Sequence, residues 1–313
     1  MSGTDIEPSQ TPRRVRLRRR LARWTPGPVR ALVRRLRRPR RSRPQTGGRD
    51  LPVAIAVGIG LASVFAGALW WNPIAFTVVI GLLTTIAYVE LRHVLRGAGG
   101  DLDVLVLVAA TSVMLLGAYH AGHAGQVIGV LVLVVGAFLW HAADTERAHV
   151  ASTVATTVLY GLWIGFLASY AVLLILRPSG GIVVVAAVIG AAVLADTGAF
   201  AVGVKWGRHP VAPRLSPNKT WEGLAGGVAS ATIVGVIVLP LLDGPFDLRS
   251  AAVVTFACGL AAFLGDLVES MMKRDLGVKD LGEVLPGHGG ILDRVDGILF
   301  ALPVGHYAIE LLT

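Results

Sequence analysis

Apolar runs dominate this chain from Leu51 to Leu312, and polar residues fall between them in short clusters. Runs long enough to cross the ~30 Å hydrocarbon core of a bilayer number about nine. They centre near Gly60, Ile80, Thr111, Leu133, Gly165, Ile189, Val234, Phe256 and Pro303, and the last is brief and interrupted by its proline. The pattern predicts an all-α polytopic membrane fold of about nine transmembrane helices.

Composition agrees. Hydrophobic residues make up 54% of the chain and charged residues only 16%, which excludes an ordinary soluble globular domain. The charge is unevenly spread. Residues 1–50 carry sixteen arginines against Asp5, Glu7 and Asp50, a net of +13, which leaves −4 for the rest of a chain whose total is +9. Basicity therefore belongs to a tail, and the expected division is an Arg-rich cytosolic tail (1–50) followed by a multi-span catalytic domain (51–313). A lone cysteine, Cys258, lies in an apolar run and excludes a disulfide framework. The basic region is too long for a cleavable signal peptide, and the first apolar run lacks a small-residue cleavage site.

Lysine and arginine also orient the spans. With the tail in the cytosol, the cytosolic loops are Arg92–Asp103, His141–Thr153, Lys205–Trp221 and Lys273–Asp296, each containing Lys or Arg. The loops of the other side, near Trp71–Pro73, His120–Gln126, Arg177–Gly181 and Asp243–Ser250, offer only Arg177 and Arg249. An odd number of spans then puts the C-terminus outside. Within the tail, Leu17, Leu21 and Trp24, and again Val29, Val33 and Leu36, are spaced i, i+4, i+7 among arginines. Two amphipathic helices on an anionic leaflet and a disordered arm that fixes topology account for this equally well. No nucleic-acid partner is expected, because a tail joined to a membrane domain already has a negatively charged neighbour.

Two cytosolic loops are dense in polar residues. The first, from Asp196 to Gly223, contains Lys205, Arg208, Arg214 and Lys219, with Ser216, Asn218 and Thr220 just ahead of the seventh span. Free N–H groups at that helix N-terminus, beside cations, would cradle phosphate; ordinary helix capping in a positive-inside loop explains the same residues. The second runs from Gly265 to Gly297. Asp266, Ser270 and Lys273 are spaced i, i+4, i+7 and share a helical face, with Glu269 on its edge. An acid costs ~2.5–3.5 kcal/mol at a helix centre in a bilayer and less toward its ends, so Asp266 needs a partner. A bound cation or an Asp266–Lys273 pair would each serve. Asp293 and Asp296 then open the ninth span after the flexible pair Gly289-Gly290. Acids suit a helix N-terminus singly; together, with Lys and Arg around them, they point to hard oxygen ligands for Mg²⁺ and an anionic, phosphorylated substrate.

The stretch Ser270-x-x-Lys273-Arg274, Lys279-Asp280, Pro286-x-His288-Gly289-Gly290-x-x-Asp293-Arg294-x-Asp296 resembles the signature of the phosphatidate cytidylyltransferases, or CDP-diacylglycerol synthases: twelve positions across 27 residues. Asp196 and Ser216-Pro217-x-Lys219-Thr220-x-Glu222-Gly223 resemble the family as well, whereas Phe200 and Val204 stand where members often carry Tyr and a basic residue. The resemblance implies transfer of the cytidylyl group of CTP to phosphatidate, giving CDP-diacylglycerol and pyrophosphate, at the cytosolic face of the plasma membrane. It implies Asp266 and Asp293 as metal ligands, with Asp296 as a further or outer ligand. Lys219, Lys273 and Arg274 would neutralise phosphates, and Ser270 and Ser216 would donate hydrogen bonds. His288, Gly289 and Gly290 would shape the loop around the triphosphate, with Asn218, Thr220, Lys279 and Arg294 in the substrate contacts. A second cation and a homodimer are both compatible with it. The alternatives are a proton- or ion-coupled transporter using the intramembrane acids, an anchor whose tail recruits a partner, and a cytidylyltransferase or CTP-dependent kinase acting on another lipid.

Overall fold

The computed structural model describes residues 51–143, 150–213, 215–282 and 289–312, with side chains from Gly58 onward. The tail, Arg214, Pro286 and His288 lie outside the described residues.

Helix α1 spans Leu51–Trp71 and α2 spans Pro73–Ala98. Between them Asn72 caps α2: its side chain accepts from Ala75 N–H at 2.8 Å, and Pro73 takes the first helical position, where no donor is lost. Gly99, at φ +90°, closes the other end. Next comes α3, Val104–Ala142, a length of 39 residues broken by Gly122 at φ +59°, ψ −137°. Its two halves fold back on each other. A Cβ on Gly117 would overlap the backbone of Gly125, and one on Gly129 would overlap Met114, so the hairpin closes only because these positions lack side chains. The sequence spans centred on Thr111 and Leu133 are its two arms.

The next rod combines α4 (Val150–Tyr160), a π-helical turn (Gly161–Phe166) and α5 (Leu167–Ile175). At the π turn, the Tyr88 hydroxyl meets Thr111 Oγ1 at 2.9 Å in the space that a side chain on Gly165 would fill. The chain continues through α6 (Gly181–Trp206), α7 (Trp221–Val238), a 3-10 turn (Leu239–Leu241), α8 (Leu248–Leu276) and α9 (Leu292–Glu310). The all-helical expectation is modified in one place. The loop after α6 forms an antiparallel ribbon, β1 (Pro210–Ala212) with β2 (Ser216–Thr220). It is tied by Glu222, which accepts from the N–H groups of Arg208 (3.1 Å) and His209 (3.2 Å).

Among the described residues, six helical stretches have the length and apolar content to cross a membrane: Pro73–Ala98, Val104–Ala142, Val150–Ile175, Gly181–Trp206, Trp221–Leu241 and Leu248–Leu276. Their outward faces are apolar too. On α2 the exposed residues Ile74, Val78, Leu82, Ile86 and Val89 form one stripe, while Phe76, Ile80, Ala87, Tyr88 and Leu91 face the core. A stripe apolar on the outside belongs in lipid, where burial in protein is not needed to leave water. This is a membrane protein.

Candidate active site

The C-terminal helices pack through glycine, and that close packing builds the site. Gly198 on α6 lies against Ser230 on α7, and a Cβ on Gly227 would overlap the Ala195 carbonyl. A Cβ on Gly265 of α8 would sit 2.6 Å from the Asp296 carbonyl oxygen, and one on Gly297 of α9 3.0 Å from that of Ala262. Residues next to these contacts are thereby drawn together from four helices. They surround a cavity of about 490 Å³.

Asp196, Ser216, Asn218, Lys219, Thr220, Asp266, Lys273, Asp293, Arg294 and Asp296 all line this chamber. So does Glu269, which the sequence put at the edge of the α8 face; it is 2% exposed. The helix has turned slightly from the expected face, so Asp266, Glu269 and Lys273 look inward while Ser270, half-buried, does not line the chamber. Arg274 also stays outside and donates from Nε to the Leu215 carbonyl at 3.1 Å, pinning the ribbon to α8. Lys279 is exposed beyond the helix end at Gly277.

Thr220 serves as the N-cap of α7, its Oγ1 accepting from Gly223 N–H at 3.1 Å. That cap starts the helix where Lys219 can turn inward to pair with Asp266 Oδ2, its ammonium 5.3 Å from the centre of the Phe263 ring. Lys273 Nζ bridges two acids, Glu269 Oε2 at 2.7 Å and Asp293 Oδ1 at 2.8 Å.

Asp293 is committed further. It accepts from Leu281 N–H at 3.1 and 3.2 Å and from Gly290 N–H at 2.8 Å, clamping the loop that precedes α9. Gly289 in that loop has φ +77°, a left-handed conformation that glycine adopts without strain. Neither Gly289 nor Gly290 lines the chamber. A residue far away in sequence holds the same loop: Glu90 of α2, 4% exposed, accepts from Ile291 N–H at 2.8 Å. An acid inside an apolar run was the signal for Glu90, and the rule that flags Asp266 applies to it equally.

Three carboxylates remain turned toward one point. Oxygens of Asp266, Glu269 and Asp296 lie within 4.8 Å of one another, and Glu269 Oε1 is buried without a hydrogen-bond partner. The expected set named Asp293 in place of Glu269. In the structure Lys273 and two backbone N–H groups bond the Asp293 oxygens, while a Glu269 oxygen lies within 4.8 Å of those of Asp266 and Asp296. Around the whole chamber five carboxylates face Lys219, Lys273 and Arg294, an excess of two negative charges. A hard divalent cation fits both that excess and the orphaned oxygen.

A second, apolar cavity of about 500 Å³ adjoins the first, and Arg294 and Ile298 line both. Its walls come from α1, α2, α5, α6, α9 and the π turn, including Phe65, Ile80, Ile164 and Leu302. Polar and apolar chambers sharing a wall suit a ligand with a charged head and hydrocarbon chains.

The chain belongs to the cytidylyltransferase family, whose model matches residues 52–312. It is 33% identical over 299 residues to the phosphatidate cytidylyltransferase of Mycobacterium leprae, covering 91% of this chain and 95% of that relative. It is 34% identical over 265 residues to that of Mycobacterium bovis, covering 80% of this chain and 86% of the relative. Identity to the Staphylococcus aureus phosphatidate cytidylyltransferase reaches 48% over 111 residues, 36% of this chain and 43% of the relative.

Proposed function

We propose that this protein transfers the cytidylyl group of CTP to phosphatidate, forming CDP-diacylglycerol for phospholipid synthesis. The observation that carries the reading is the acidic chamber, ringed by cations and joined through Arg294 to an apolar cavity. The acids gather in this chamber rather than along a path through the bundle, so the transport alternative gains no support.

An oxygen of the lipid's phosphate attacks the α-phosphorus of CTP. The new O–P bond forms as the bond to the bridging oxygen breaks, and pyrophosphate leaves with that electron pair. A phosphate monoester has a second pKa of about 6, so the nucleophile is already largely ionised and needs no strong general base. What the reaction needs is charge neutralisation and in-line alignment of two polyanions. Asp266, Glu269 and Asp296 would hold Mg²⁺, which supplies Lewis-acid charge to the phosphates when bound. Lys219, Lys273 and Arg294 bring positive charge to the same chamber, and Ser216 and Asn218 offer polar contacts at its ribbon edge. Asp293 and Glu90 hold the glycine loop against the start of α9. His288, Lys279 and Arg274 are proposed to act with that loop and the ribbon on the nucleotide.

The remaining parts follow from the charge pattern. Nine crossings, with the α3 hairpin counted as two, put the N-terminus and the chamber in the cytosol and the C-terminus outside. The sixteen arginines of the tail would be drawn toward the anionic inner leaflet of the plasma membrane.

Purified protein in detergent, given phosphatidate, radiolabelled CTP and Mg²⁺, should put label into a lipid fraction. Asp266→Asn should abolish it. Folded protein that yields no labelled lipid would overturn the reading.

A further inference from the structure

At the far end of the bundle, about 20–25 Å along α9 from Asp293 at 1.5 Å per residue, lies a second polar cluster that the reaction above does not use. It joins three elements: the turn of the α3 hairpin (His123, Gln126), α5 (Ser169, Tyr170) and the last turns of α9 (His306, Tyr307, Glu310). The loops Arg177–Gly181 and Asp243–Ser250 meet at this same end, where Gly180 packs against Gly244.

Hydrogen bonds define the protonation of His123. Ser169 Oγ donates to the Phe166 carbonyl at 2.7 Å, so its one proton is used and it accepts from Gln126 Nε2, also at 2.7 Å. The Gln126 carbonyl oxygen therefore faces His123 Nδ1, at 2.9 Å, and that nitrogen carries the ring proton. His123 Nε2 is left with a lone pair. It points at His306 Nε2, 3.0 Å away, and Glu310 Oε2 lies 3.6 Å from that same nitrogen. The three ligand atoms all fall within 4.8 Å of one another.

We propose that His123, His306 and Glu310 form a second metal site, selective for Zn²⁺ or a similar borderline divalent ion, at the end of the bundle opposite the acidic chamber. A single hydrogen bond between the two rings would account for their contact alone. Helical i, i+4 spacing sets Glu310 beside His306, and the amide chain turns the first ring toward the same nitrogen. An imidazole whose other N–H is held by an outer acceptor is the usual arrangement of a metal-bound histidine, and His123 has it, whereas His306 Nδ1 is buried without a hydrogen-bond partner. Zinc bonds of about 2.0–2.1 Å in a tetrahedron need nitrogens about 3.3 Å apart, so the rings would open by only about 0.3 Å. Two imidazoles and one carboxylate suit zinc, whereas Mg²⁺ and Ca²⁺ prefer oxygen sets.

The surroundings fit as well. Tyr307 stacks on His123 at 5.9 Å with the rings 4° from parallel, and the Tyr170 and Tyr307 hydroxyls touch at 3.1 Å. His306 is 4% exposed, while His123 and Glu310 reach the surface and leave an entry path and a fourth position for water. Arg177 lies within electrostatic reach of His306 and opposes any cation there. Bound zinc would clip the hairpin turn to the end of α9.

The test uses full-length protein in detergent, stripped with chelator and titrated with Zn²⁺ alone, with bound metal measured by mass spectrometry and Co²⁺ bands as a second readout. A double variant, Asp266→Asn with Glu269→Gln, removes the acidic chamber as a competitor and should retain one zinc per chain. His123→Ala and Glu310→Gln should each weaken zinc binding by more than about tenfold, and Gln126→Leu by about 10–100-fold, as for other outer partners of metal ligands. Glu310 is exposed, so its variant bypasses any folding defect, and Mg²⁺-dependent turnover of His123→Ala reports that the fold is intact. Zinc lost in the double variant, or held by Glu310→Gln and His123→Ala as tightly as by protein that keeps both ligands, would overturn the proposal.

Discussion

Two polar clusters among the described residues, the acidic chamber and the His123–His306–Glu310 group, lie toward opposite ends of the bundle and are built from different chemistry. At one end, carboxylates from α8 and α9 face lysine and arginine around an open chamber. At the other, two imidazoles and a single carboxylate sit against tyrosine rings. Oxygen ligands with excess negative charge suit a hard cation and exchange readily with phosphates. Nitrogen ligands, one of them oriented by an amide, suit a tightly held ion. The family's chemistry suits the first kind, because a polyphosphate nucleotide must come and go each turnover. The second kind fits a fixed clip. One fold thus keeps exchange and anchorage about 15–20 Å apart along α9, from Asp296 to His306 and Glu310.

The comparison breaks most directly at the acids. Glu269→Gln should cost about 10²–10³-fold in kcat for CDP-diacylglycerol formation, the scale of losing one electrostatic group from a phosphoryl-transfer site. Ser270→Ala, one residue on but outside the chamber, should cost less than about tenfold. Equal losses would mean that the face of α8 is turned the other way.

Next comes Lys273. Lys273→Ala leaves Glu269 and Asp293, whose side chains are 2% and 6% exposed, without their shared cation. Breaking a buried pair from one side costs about 3–5 kcal/mol, so both thermal stability in detergent and turnover should fall. Lys273→Met combined with Glu269→Gln should recover part of the stability and none of the turnover.

Glu90 sharpens the role of the loop. Glu90→Ala leaves the Ile291 N–H buried without its acceptor, a loss of about 1–3 kcal/mol. The expected result is a raised KM for CTP with a smaller change in kcat, read from initial rates. A kcat effect alone would put Glu90 in the chemistry rather than in holding the loop.

Asp101, in the turn between α2 and α3, sets the floor for a charge outside both clusters. Partial burial works against its carboxylate, but hydrogen bonds from Arg96, the Leu102 N–H and Arg92 outweigh this and hold its pKa below the usual value. A lowered folded-state pKa contributes stability above the unfolded pKa that disappears as pH falls through the folded value. The pair is half exposed, so solvent screening limits it to about 0.2–1 kcal/mol. Asp101→Asn should lower the Tm slightly at neutral pH, and the difference from the unaltered protein should vanish on acidification.

Much of this protein was legible in one dimension. Hydrophobic runs are longer than any soluble helix requires, and lipid exposure makes them visible because both the inner and the outer faces are apolar. The cluster from Ser270 to Asp296 stood out because each charge near lipid needs a partner or a ligand. Spacing on one helix also separated Asp266 from solvent-facing neighbours, but it could not decide between Glu269 and Ser270, which differ by one step of about 100°. That choice depended on how α8 rotates against α9, and Gly265 and Gly297 set it by letting the backbones meet. Likewise, the motif singled out Asp293 as a metal ligand, and only the folded loop shows that its oxygens also meet Leu281, Gly290 and Lys273. Glu90 and the His123–His306–Glu310 group were beyond the sequence for a simpler reason. Their members are separated by 201 and 183 positions, and no periodicity links residues that distant. Local pattern determines which segments enter the membrane; which side chains meet inside it is decided by where glycines allow helices to touch.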